Sequence, residues 1–90
     1  MVFAKTVPVN ITTGLNTSYS IKLKNDLTLH AKKYQGFANV TFDRNPLVKD
    51  SYGEKYPSGG LRMLRINARV PDSADELFKG TLELVIESQA

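Results

Sequence analysis

The chain predicts an α+β fold, an antiparallel β-sheet of about five strands with a C-terminal amphipathic helix packed on one face. Three observations carry that expectation. Several segments alternate apolar and polar residues with period two. Residues 61–70 do so most cleanly, with Leu64, Ile66, Ala68 and Val70 on one side and Arg65, Asn67 and Arg69 on the other. After Pro71, Ser73 and Glu76 stand at capping-box spacing, and apolar residues follow at helical intervals.

Taken in order, residues 3–13 place Val7, Val9 and Ile11 opposite Pro8 and Asn10. Pro8 cannot donate to a ladder, which predicts an edge strand. A turn at 13–17 leads to residues 18–24, where Tyr19, Ile21 and Leu23 alternate with Ser20, Lys22 and Lys24. These two segments are expected to pair as a hairpin. Asn25 and Asp26 make a tight turn. Residues 27–32 set Leu27, Leu29 and Ala31 against Thr28, His30 and Lys32. After a turn at 33–36, Ala38, Val40 and Phe42 oppose Phe37, Asn39, Thr41 and Asp43. Residues 44–60 carry Asn45-Pro46, Tyr52-Gly53, Pro57 and Gly59-Gly60 and read as one long loop. In the final segment Leu77, Thr81, Leu84 and Val85, flanked by Phe78, Leu82 and Ile86, make an apolar helical stripe. Gly80 opposes a helix there, and residues 81–86 also alternate as a strand would.

Ninety residues make one domain, 1–90, with a thin core. Without cysteine, oligomerisation is the usual route to further burial. His30 is the only histidine, so no multi-histidine metal site or cysteine–histidine pair is available. No phosphate-binding glycine motif is present. The expectation is therefore a protein that is not an enzyme and uses no cofactor or metal. No apolar run reaches membrane-spanning length, and no leader pattern opens the sequence, so a cytosolic product without a membrane partner is expected.

A net charge of +3 and a pI near 9.3 suit a polyanion, although ordinary surface charge would read the same way. The outward positions of three neighbouring strands would be Thr28, His30 and Lys32, then Asn39 and Thr41, then Arg65, Asn67 and Arg69. Cations neutralise phosphates, while Asn and Thr bond base edges and ribose hydroxyls. Phe37 shares that face and could stack a base. A plain solvated sheet face has the same polar character.

The order of elements resembles the coat proteins of single-stranded RNA bacteriophages. The likeness rests on residues 5–24 as a first hairpin and 27–46 as a second. Residues 37–46 are the strand ending in proline, 47–60 the loop, and 61–88 the last strand and helix. The resemblance implies an obligate homodimer whose sheets join edge to edge and whose helices interlock over the partner. Leu77, Phe78, Thr81, Leu84 and Val85 would line that dimer interface. It further implies a capsid shell, with an RNA hairpin bound by Thr28, His30, Lys32, Asn39, Thr41, Arg65, Asn67 and Arg69. The protein would be found in the virion, and in the bacterial cytoplasm during assembly. Two alternatives stand beside it. One is a pilin-like all-β structural subunit, with residues 80–87 as a strand. The other is a small single-stranded nucleic-acid-binding barrel using Tyr19, Tyr34, Phe37 and Tyr52 as stacking platforms.

Overall fold

The computed structural model describes residues 2–71 and 77–89. Among them there is no helix, and the fold is all-β with two antiparallel sheets. The strands are β1 (Val2–Asn10), β2 (Ser18–Leu23), β3 (Thr28–His30), β4 (Gln35–Phe42), β5 (Asn45–Pro46), β6 (Tyr56–Pro57), β7 (Leu61–Arg69) and β8 (Leu84–Gln89). The first sheet runs β1-β7-β4-β3, with β5 added to β4, and the second runs β6-β2-β8.

The expected C-terminal helix is therefore corrected to a strand. Leu84 to Gln89 pair antiparallel with β2, Leu84 opposite Leu23 and Ile86 opposite Ile21. Leu82 and Leu84 pack on the core, which is the two-residue spacing of a strand. Just upstream, Lys79 and His30 exchange backbone hydrogen bonds of 2.9 and 2.7 Å. That bridge draws Gly80 against β3, where an added Cβ would lie 2.5 Å from the Thr28 carbonyl oxygen. A glycine that opposes a helix thus permits a close backbone approach. The proposed capping box, Ser73 with Glu76, lies outside the described residues.

The expected hairpin between the first two strands does not form. β1 pairs with β7 along its whole length, Val2 opposite Arg69 through Asn10 opposite Leu61. The segment between β1 and β2 is held by other partners. Gly59 N donates to Ile11 O at 2.8 Å, Thr13 N to Ser58 Oγ at 2.8 Å, and Ser58 N to Thr17 O at 3.1 Å. Those bonds carry the chain from one sheet to the other. The long loop likewise contains two short strands. A two-residue turn at Asp43 and Arg44, both left-handed (φ 50° and 70°), folds β5 onto β4.

Tyr19, Ile21 and Leu23 of β2 meet Val40 and Phe42 of β4 and Leu64 of β7 between the sheets, with Leu27, Leu47 and Tyr56 closing the core. The inner face is therefore covered by a second sheet, where a helix had been expected. Tyr19, Phe42 and Tyr56 form an aromatic trio, with ring centroids 5.1 to 6.3 Å apart. The Tyr56 hydroxyl donates to Phe42 O at 3.2 Å and accepts from Asn45 Nδ2 at 2.9 Å.

Burial pushes the Tyr56 hydroxyl above the ordinary tyrosine range, partly offset by the Asn45 bond. The folded state thus holds the phenol proton more tightly than the unfolded chain. The associated stability is complete below about pH 10 and is lost as pH rises beyond it. Tyr56→Phe is expected to cost about 1–2 kcal/mol near neutral pH, through the lost bonds. It should also flatten the alkaline decline in urea midpoints. An unchanged alkaline slope would remove Tyr56 from that linkage.

Candidate nucleic-acid interface

The register of the first sheet decides which polar side chains share its outer face. Thr41 stands opposite Arg65, Asn39 opposite Asn67, and Phe37 opposite Arg69. Thr28 pairs with Phe37 and His30 with Gln35. On the other flank Thr6, Ala4 and Val2 pair with Arg65, Asn67 and Arg69. Directly paired residues point to the same side of a sheet. Thr28, His30, Asn39, Thr41, Arg65, Asn67 and Arg69 therefore lie on one face, and none of these ladder positions carries an acid.

Local bonds orient several of these groups. Arg65 Nε donates to Asn67 Oδ1 at 3.1 Å, holding the guanidinium along the strand. Thr28 Oγ1 and His30 Nε2 lie 3.0 Å apart. Phe37 is 64% exposed on this face. With Asn39, Asn67, Arg69, Val2 and Ala68 it lines a shallow cavity of about 400 Å³. An exposed ring, two carboxamides and a guanidinium are groups capable of stacking, hydrogen bonding and anion neutralisation.

Two residues depart from the expected set. Lys32 lies past the end of β3, in the turn to β4, and is not on a ladder position. Lys79, read from sequence as part of a helix, joins the face through its bridge with His30. The alternation of residues 81–86 was the available signal for extended structure near it. The helix expected to carry the dimer interface is not formed among the described residues. Leu77 is 76% exposed, Phe78 half-buried and Thr81 exposed, none within a strand, whereas Leu84 and Val85 of β8 pair with Leu23 and Lys22 of β2. The barrel's stacking set also loses a member, because Tyr19 is 0% exposed.

No protein-family profile and no curated protein sequence matches this chain.

Proposed function

We propose that this chain is a self-assembling structural subunit of the coat-protein kind that holds single-stranded RNA on the open face of its larger sheet. One observation carries the reading. The paired positions of the sheet face carry no acid and gather Arg65 and Arg69 with Asn39, Asn67, Thr41 and an exposed Phe37, while Asp26 borders the face beside Thr28. Phosphates would meet the two arginines and Lys79. Bases would lie against Phe37 and the paired asparagines. In this reading the protein works inside a virion and is made in the host cytoplasm. Interlocked helices play no part in its dimer.

Protein expressed alone in bacteria and viewed by negative stain, with absorbance at 260 and 280 nm, tests it. Closed particles carrying host RNA are expected; a monomer free of nucleic acid would overturn the reading. The arginines have their own test. Each phosphate contact with a single strand contributes about 0.7 to the slope of log affinity against log salt. The Arg65→Ala, Arg69→Ala double variant should therefore bind RNA more weakly and lose about 1.4 from that slope. An unaltered slope would remove both residues from the site.

The pilin-like alternative is favoured by one feature, the strand at Leu84–Gln89. Filaments free of RNA in the same micrographs would select it.

A further inference from the structure

The open edge of β1 has a donor pattern that fits a second copy of itself. Its direction follows from the hydrogen bonds of β4. Ala38 N donates to Leu27 O, and Val40 O accepts from Leu47 N, so residues 38 and 40 turn their backbone groups away from β7. Asn39 and its partner Asn67 then face each other, as do Thr41 with Arg65 and Phe37 with Arg69. Ala68, Ile66 and Leu64 must therefore face β1, toward Phe3, Lys5 and Val7. The remaining residues, Val2, Ala4, Thr6, Pro8 and Asn10, turn their backbone groups to the open edge. No other strand among the described residues pairs there.

Pro8 has no N–H and interrupts that edge. Residues 2–6 keep every donor and acceptor. Their side chains are exposed on both faces of the ribbon, Val2 at 66% and Phe3 at 48%. We infer that two copies of this chain join through antiparallel pairing of residues 2–6 of β1, centred on Ala4 opposite Ala4 of the other copy. This rests on the self-assembly part of the proposed function and names its contact.

The sequence favours the one register whose ladder is unbroken. Centred on Ala4, Val2 meets Thr6 and Thr6 meets Val2, so three closely bonded pairs exchange six hydrogen bonds. Pro8 falls beyond the ladder. Phe3 then lies opposite Lys5, which sets each cation beside a ring and keeps the two lysines from facing each other. Centring on Thr6 would lengthen the ladder to five pairs and eight bonds, but it sets Pro8 opposite Ala4 at both ends, so the ladder is interrupted on each side of its centre by a missing donor. The twofold axis runs perpendicular to the sheet. Arg65, Asn67 and Arg69 of both copies therefore lie on the same side of one continuous sheet.

Cysteine cross-linking tests the register cleanly, because the chain has no cysteine of its own. Closely bonded antiparallel partners have Cα atoms about 5.5 Å apart, within disulfide range. Ala4→Cys in the full chain, mildly oxidised, is expected to run as a disulfide dimer, and Asn10→Cys is expected to stay uncross-linked. Ala4→Pro removes only a donor at the open edge, so it should keep its folded circular dichroism and sediment as a monomer. Cross-linking of both cysteine variants alike, or a folded Ala4→Pro dimer, would overturn the inference. So would a wild-type monomer at concentrations near 0.1 mM, roughly where weak specific contacts are still seen. RNA binding by a wild-type monomer would leave the polar face standing and fail the self-assembly together with the edge contact, whereas assembled particles without Ala4→Cys cross-linking would fail only the edge contact.

Discussion

Alanine in place of Phe42 is expected to cost about 3–5 kcal/mol of stability, read as a fall in the urea midpoint at constant m-value. A domain of this size has only roughly 5–13 kcal/mol in total, so the variant should be partly unfolded on mild heating. The side chain is 0% exposed and lies where the two sheets meet. Its ring packs roughly T-shaped against Tyr19 and Tyr56, with centroids 6.3 and 5.1 Å away. Truncation leaves a void that neither tyrosine can fill without giving up its own packing. The backbone adds to the effect, because the Phe42 carbonyl accepts the Tyr56 hydroxyl and precedes the left-handed turn that places Asn45. A loss below about 1 kcal/mol would mean that the sheets do not close on this residue.

Gly80→Ala separates the two readings of the C-terminal segment by sign. In a helix interior the change would stabilise by about 1 kcal/mol. Here the new methyl group would meet the Thr28 carbonyl oxygen at 2.5 Å and Leu29 Cδ2 at 2.8 Å. The strand carrying that carbonyl is held by the paired bonds between His30 and Lys79 on one side and by β4 on the other. It cannot retreat without breaking a ladder. A destabilisation of about 1–3 kcal/mol is expected, with His30 and Lys79 amides exchanging faster. A rise in the melting temperature would restore the helix and remove Lys79 from the sheet face.

The sequence made alternation legible and pairing illegible. Within β4 and β7, two-residue spacing separates buried Val40, Phe42, Leu64 and Ala68 from exposed Asn39, Arg65 and Arg69. Side-chain facing is local, set by each strand's own pleat. Partner choice is not local. The apolar tracts holding Val7 and Ile21 look like neighbours in a hairpin, yet their ladders are made with β7 and with β6 and β8. What decides this is burial. β2 has buried residues on both of its faces and occupies the centre of a sheet, while β1 is mostly exposed and takes an edge. The helix was a conflict between composition and close approach. Leu, Glu and Lys at helical spacing favoured it, but Gly80 and the Leu82–Leu84 alternation served contacts with β3 and the core. Lys79 was lost from the candidate face for the same reason.

The crossed order of the strands also governs how the protein is made. Neither β1 nor β2 can form a ladder with its neighbour in sequence. β2 waits for β6 and β8, and β1 for β7. At roughly 5–20 residues per second, the forty or so residues from the end of β2 to β7 take about 2–8 s to synthesise. During that interval Val7 and Val9 have no sheet partner, and Ile21 and Leu23 wait longer still, until β8 follows β7. Slower translation of the intervening residues would lengthen the time these apolar tracts stay uncovered on the ribosome.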